Sequence, residues 1–265
     1  MDFAITVEPP LPALSVADTS CLDDVTRAGF KHADWCWDWC GKPVFYEADF
    51  MALAARAFER HRLQLVSVHG YACPPKGLTF TRELFLAANA NRIEFAQRMG
   101  ATALVVHVPL RDFETQAEAL AESVDVLERL RPLAMQAGVR VAVEDLYSPR
   151  QFDQAAFFDA LFGRFGPEYL GLCYDSGHAS MTGCQDFVER YASRLLCTHL
   201  NDNDGKSDQH RLPGTGVADW MMILGSMKRS GFAGPVNLEV RIPTDDRAAF
   251  FKKALQSVRE LWEKA

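Results

Sequence analysis

The chain has 265 residues, 48% of them apolar, and a formal net charge of −7. That length and apolar share suffice for one large α/β domain with a closed core, and the acidic balance argues against a broad polyanion-binding surface. No apolar run approaches the ~18 residues that a bilayer span requires. Met1-Asp2-Phe3-Ala4 lacks a basic leader and an apolar signal core, so a cytoplasmic location is expected. Seven cysteines at scattered spacings, with Cys36 and Cys40 too far apart for a CxxC pair, read as reduced structural thiols.

Phe3–Val7 predicts a first strand, Ser20–Ala28 a helix and Phe30–Trp35 a second strand. The helical spacing of Ala48–Arg62 leads into the apolar run Leu63–His69, and Arg82–Met99 leads into Ala103–His107. Phe113–Ala137 is followed by Val139–Asp145, and Phe152–Phe165 by Leu170–His178. Gln185–Arg194 then precedes Leu195–His199, Asp219–Ser230 precedes Pro235–Glu239, and Asp245–Ala265 closes the chain as an amphipathic helix. Gly100, Gly138 and Gly231 stand where helices stop. The short β-branched runs between turn residues fit strands buried on both faces. Eight strands each followed by a helix predict a single (β/α)₈ barrel domain over residues 1–265. Val7-Glu8-Pro9-Pro10 offers no Gly-rich turn of the dinucleotide-binding kind.

Six successive runs end in His, Asp or Glu, the residue types that hold divalent metals. In a barrel all strand C-termini share one rim, which gathers His69, His107, Glu144, Asp175, His178, His199 and Glu239 despite their separation in sequence. A carboxylate ending a buried strand needs a partner or a metal to offset its desolvation. Glu144, Asp175, His199 and Glu239 form an oxygen-rich set suited to Mn²⁺, Mg²⁺, Co²⁺ or Zn²⁺. Asp208-Gln209-His210, in the polar loop after the seventh strand, reads either as a turn-rich loop or, beside His178, as a further metal site. His69 and His107 read either as ligands or as hydrogen-bonded rim histidines touching substrate. Trp35, Trp37 and Trp39 read as core or lid, or as a wall against a sugar, and Tyr71 likewise. Basic rim residues (Lys76, Arg111, Arg150, Lys206, Arg211, Arg241) are widely separated, unlike a duplex-binding track.

From about Val66 to Val240 the chain resembles the xylose isomerase-like TIM barrels, the superfamily of sugar (phosphate) isomerases and epimerases and of type IV apurinic endonucleases. The resemblance rests on His69, His107, Val143-Glu144, Cys173-Tyr174-Asp175-Ser176-Gly177-His178, Thr198-His199-Leu200-Asn201-Asp202-Asn203-Asp204-Gly205, Asp208-Gln209-His210, Pro213-Gly214-Thr215-Gly216 and Leu238-Glu239. It implies a sugar or sugar-phosphate isomerase or epimerase acting through a metal-stabilised enediolate. Glu144 and Glu239 would be the catalytic acid–base pair, and with Asp175 and His199 they would hold one ion. His178, Arg211, His69, His107, Trp37 and Tyr71 would face a small polyhydroxylated carbonyl substrate. The alternative is a zinc-dependent apurinic endonuclease-like phosphodiesterase with three ions, the added ones held by His69 and His107 with Glu144, and by His178, Asp208 and His210. A second alternative is a related metal-dependent dehydratase of a polyhydroxy ketone. A nucleic-acid partner is not expected; a homo-oligomer is compatible with the chain.

Overall fold

The computed structural model describes residues 1–7, 20–36, 43–72, 78–109, 113–146, 152–242 and 246–265. Eight parallel strands form one sheet in the order β7-β6-β5-β4-β3-β2-β1-β8. They are β1 (Phe3–Val7), β2 (His32–Trp35), β3 (Gln64–His69), β4 (Ala103–Val106), β5 (Arg140–Glu144), β6 (Leu170–Asp175), β7 (Leu195–His199) and β8 (Val236–Leu238). The seam between β7 and β8 is closed by a parallel bridge from Leu200 to Leu238. There the Leu200 N–H donates to the Asn237 carbonyl at 2.9 Å and the Glu239 N–H to the Leu200 carbonyl at 3.1 Å. The Thr198 hydroxyl extends the seam, accepting from the Asn237 N–H at 2.9 Å and donating to the Asn237 carbonyl at 3.2 Å. The result is the predicted (β/α)₈ barrel, with its strand ends on a common rim.

Around it run α1 (Ser20–Ala28), α2 (Ala48–His61), α3 (Arg82–Met99), α4 (Gln116–Ala137), α5 (Gln154–Arg164), α6 (Ser176–Thr182), α7 (Phe187–Arg190), α8 (Trp220–Ser230) and α9 (Arg247–Lys264). Gly100, Gly138 and Gly231 cap α3, α4 and α8 in the left-handed conformation, as their positions predicted. The N-termini carry side-chain caps: Thr81 on α3, Thr115 with Glu118 as a capping box on α4, Asp153 on α5 and Asp219 on α8.

Two predicted elements are corrected. The run Leu170–His178 is not one strand: β6 stops at Asp175, whose carboxylate accepts the His178 N–H at 2.8 Å and so starts α6. The helix expected over Gln185–Arg194 is broken at Tyr191 into α7 and a 3₁₀ turn, Ala192–Arg194. Strand β6 is therefore followed by two short helices rather than one.

Neighbouring strand residues face opposite ways, and β2 shows the consequence. Trp35 lies outward in the layer between sheet and helices, its ring against Tyr46, Phe50, Phe58 and Phe95 at 5.0 to 6.3 Å between centroids. Asp34, one residue earlier, joins a fully buried polar chain across β8, β1, β2 and β3. Asn237 Nδ2 donates to Thr6 Oγ1 (2.9 Å), Thr6 Oγ1 to Asp34 Oδ2 (3.2 Å) and Ser67 Oγ to Asp34 Oδ1 (2.6 Å). The neighbouring sector of the barrel interior is apolar and soft, made by Val105, Ala142, Cys173 and Cys197.

Candidate metal centre at the barrel mouth

The strand ends bring together what the sequence scatters. Among the described residues, Glu144, Asp175, His199 and Glu239 form a group whose ligand atoms all lie within 4.8 Å of one another. His199 Nδ1 sits between the glutamates, 3.3 Å from Glu144 Oε1 and 3.2 Å from Glu239 Oε2. His69, His107 and Glu144 form a second such group. Its His107 Nε2 is 2.9 Å from Glu144 Oε2 and 3.1 Å from His69 Nε2. Five of the chain's seven histidines stand in or beside these groups.

Backbone carbonyls fix how three imidazoles face the centre. The Nδ1–H groups of His69, His178 and His210 donate to the carbonyls of Gly70 (2.8 Å), Asp145 (2.8 Å) and Glu239 (2.9 Å). Each ring then turns Nε2 inward, the arrangement that orients metal-binding histidines. Asp208 Oδ2 lies 3.1 Å from His210 Nε2 and 3.6 Å from His178 Nε2. These three nevertheless do not form a group within the 4.8 Å that the central sets meet.

Asp175 is held from three sides. Its N–H donates to Asp145 Oδ1 at 2.6 Å, its carboxylate caps α6, and Asn201 Nδ2 donates to both its oxygens at 3.1 and 3.0 Å. The glycine of Ser176-Gly177-His178 follows from this packing, since a Cβ there would lie 2.0 Å from Asn201 Oδ1. Asp202 plays the same part for the following loop, accepting N–H groups from Asn203, Gly214, Gly216 and Ala218 and from the Trp220 ring. A Cβ on Gly216 would meet Asp202 Oδ1 at 2.3 Å, which accounts for the Pro213-Gly214-Thr215-Gly216 motif.

The electrostatics are those of an anionic well. Burial works to raise the Glu144 and Glu239 pKa values. The charges of His199 and His107 outweigh it at Glu144, held well below the usual range, and His199 holds Glu239 down to about 2. Burial, only partly offset by His178, lifts Asp175 to about 6. Burial likewise raises Asp34 and Asp145. The imidazoles answer: burial opposes their charge, but Glu144 raises His69 to about 9, Asp208 raises His210 to about 10, and Glu239 and Glu144 drive His199 well up. His107 goes the other way, its burial prevailing. Protonated imidazoles thus supply the positive charge that keeps buried carboxylates ionised. A divalent cation would supply the same charge and leave the imidazoles neutral.

The donor set fits such an ion on a second ground. Nε2 of His199 is buried without a hydrogen-bond partner, an orphaning that buried polar groups seldom tolerate. The mixture of carboxylate oxygens and imidazole nitrogens suits Mg²⁺, Mn²⁺, Co²⁺ or Zn²⁺.

Tyr71 is 2% exposed and packs near Phe80 and the Arg92 guanidinium. Arg211 is exposed, and its backbone pairs with Asp202. Trp37, Trp39, Lys76, Arg111 and Arg150 lie outside the described residues, as do Cys40 and Cys73. Cys173, Cys184 and Cys197 are free thiols. Sequence reasoning missed Asp34, Asp145 and Asn201. Asp34 carried the same signal as the residues it found, an acidic group inside a buried run. Asp145 directly follows Glu144 and was overshadowed by it, and Asn201 gave no signal distinct from its polar loop.

No described helix is long and apolar enough to cross a membrane. The y4fM protein of Sinorhizobium fredii is 29% identical over 250 residues, covering 82% of this chain and 79% of its own. An inosose isomerase of Halalkalibacterium halodurans is 29% identical over 153 residues, 52% of this chain and 53% of that one. Among solved structures, a D-tagatose 3-epimerase-like protein superposes with a TM-score of 0.76 at 19% identity, over 100% of this chain and 99% of its own. The IolI protein, solved with a bound zinc atom, gives 0.70 at 16% identity, over 100% and 99%. The profile of one family matches residues 22–261, nearly the whole barrel, and the chain belongs to that family, the xylose isomerase-like TIM barrels.

Proposed function

We propose that the chain is a divalent-cation-dependent isomerase or epimerase of a small polyhydroxylated carbonyl compound. The observation that carries this reading is the pair of buried glutamates, Glu144 and Glu239, on either side of His199 Nδ1 at 3.3 and 3.2 Å. Both carboxyls are held well below their ordinary range or down to about 2, so both are proton acceptors at neutral pH. One takes the proton from the carbon next to the carbonyl, leaving an enediolate. The other, protonated from solvent, returns a proton to the opposite face of the same carbon for epimerisation; for isomerisation the first glutamate hands its proton on to the neighbouring carbon. A cation held by Glu144, Asp175, His199 and Glu239 would supply positive charge beside the carbonyl oxygen and lower the cost of that first step. His178, pinned through Nδ1, presents Nε2 for a substrate hydroxyl. The sugar isomerases and epimerases among similar proteins support the substrate class.

The test is exchange of the α-proton of ketoses and cyclic hydroxyketones with deuterated water. Exchange should require a divalent cation, stop with chelator, and fall at least ~10³-fold in Glu144→Gln and in Glu239→Gln. Near-normal exchange by either variant with cation bound would show the acid–base pair to be misassigned. A dehydratase would share the first step and differ in losing water. The phosphodiesterase alternative draws on the His69, His107 and Glu144 group. It requires incision of a duplex bearing an abasic analogue, salt-sensitive through counterion release, and we expect none.

A further inference from the structure

Below the four carboxylate and imidazole ligands, the barrel interior carries thiols that proton transfer does not use. The strand register sets Glu144 on β5 opposite Cys173 on β6, and Cys173 opposite Cys197 on β7. Asp175 and His199 are paired one inward-facing step nearer the mouth. Since strand residues two apart face the same way, Cys173 and Cys197 look into the space that Asp175 and His199 look into. Cys173 is fully buried and packs beside Cys197. One ligand atom each from Cys173, Glu144 and His199 lie within 4.8 Å of one another. His199 is fully buried; its Nε2 has no hydrogen-bond partner and its Nδ1 lies between the two glutamates.

We propose that Cys173, Glu144 and His199 form a second, deeper position for a thiophilic divalent cation such as Cd²⁺ or Zn²⁺, alternative to the position completed by Asp175 and Glu239. Soft thiolates select such ions, whereas Mg²⁺ and Mn²⁺ prefer oxygen. Donors around a tetrahedral ion with bonds of about 2.0–2.3 Å stand roughly 3.4–3.8 Å apart. The three side chains therefore need to close by only about 1 Å to reach that geometry. As the sulfur–metal bond forms, the thiol proton leaves to solvent, together with any proton that His199 carries. The two positions share Glu144 and His199 and exclude each other. A cation in the deeper one withdraws Glu144 from its partnership with Glu239, so the site sorts cations by softness as well as by charge.

The experiment reads binding and needs no turnover, which separates its failure from a failure of the sugar-enzyme reading. Metal-free full-length protein is titrated with Cd²⁺ and followed by the ultraviolet sulfur-to-cadmium charge-transfer absorption, which oxygen and nitrogen donors do not give. The wild-type protein should develop the band and lose it when excess Mn²⁺ competes for Glu144 and His199. Cys173→Ser, close in volume to cysteine, should lack the band, while Cys184→Ser should keep it in full. No band in the wild-type protein, a full band in Cys173→Ser, or a band indifferent to Mn²⁺ would each overturn the proposal. Circular dichroism of Cys173→Ser checks its fold, and the wild-type titration stands as a test whatever that variant does.

Discussion

Replacing Asp202 should cost more stability than any other single change in the loop after β7. Its Oδ1 accepts the N–H of Asn203 (3.0 Å) and Ala218 (3.2 Å), and its Oδ2 those of Gly214 (3.0 Å), Gly216 (2.9 Å) and the Trp220 ring (2.8 Å). Gly214 and Gly216 are exposed, so their N–H groups find water when the carboxylate goes. Asn203 and Trp220 are buried, and each donor stranded there costs about 1–3 kcal/mol. Asp202→Ala should therefore destabilise the protein by about 4 kcal/mol, which at ~2–4 °C per kcal/mol lowers the unfolding midpoint by roughly 8–16 °C. Asp202→Asn keeps the shape but turns an amide NH₂ toward donors, and should fall about halfway. Thermal unfolding by circular dichroism measures both. Because the central ligands stand on strands, the folded variants should still bind one cation. An Asp202→Ala protein within about 1 kcal/mol of wild type would show that the loop is held by something other than this carboxylate.

The double variant Asp208→Ala/His210→Ala should leave cation stoichiometry at the central set unchanged, as read by elemental analysis, because Asp208, though 3.6 Å from His178 Nε2, does not close a group of three within 4.8 Å with His178 and His210; loss of one equivalent would restore a separate site there. Gly177→Ala should weaken cation binding at least about tenfold, since its Cβ would lie 2.0 Å from Asn201 Oδ1 and push Asn201 off Asp175; unchanged affinity in calorimetry would show that Asn201 is dispensable. Cation binding should release protons and strengthen about tenfold per pH unit through neutrality, because His199, its burial outweighed by Glu239 and Glu144, must lose its proton to bind. Calorimetry in buffers of different ionisation enthalpy reads this directly, and zero proton uptake by buffer would refute it. The same raised pKa values set the metal-free protein's alkaline limit. Charged His69 and His210 stabilise the fold fully below about pH 6.5, and that contribution is lost as pH rises through about 9 and about 10. Thermal midpoints that hold flat across that range would count against it.

The barrel was legible because its signals are local and repeated. Apolar runs ending in His107 or Glu144 identify both a strand and its rim end, so one reading yields fold and site together. What the string of residues does not carry is a boundary and a direction. Asp175 serves at once as rim carboxylate and helix cap, and nothing in Asp175-Ser176-Gly177-His178 as a string says that the backbone turns there. Tyr71 stands two residues beyond a rim histidine, yet Asn89 on α3 takes its N–H at 3.0 Å and the ring packs into the wall. Which way a loop residue turns depends on a partner eighteen positions away, and periodicity carries no information about that.

The deeper layer explains why the rim alone is an incomplete account of such a site. Residues two positions before each rim ligand form its floor, and the floor is divided. Thr6, Asp34, Ser67 and Asn237 make one hydrogen-bonded side, while Val105, Ala142, Cys173 and Cys197 make the other. His199 stands between them, its Nε2 3.9 Å from Asp34 Oδ2. If Asp34 draws that N–H when the ring binds through Nδ1, the carboxylate fixes the tautomer and raises the ligand's basicity. Asp34→Asn should then weaken cation binding by about 10- to 100-fold, while His199→Ala should make the same substitution nearly silent. Equal losses in both backgrounds, measured by chelator competition, would mean that Asp34 serves the barrel floor and not the histidine.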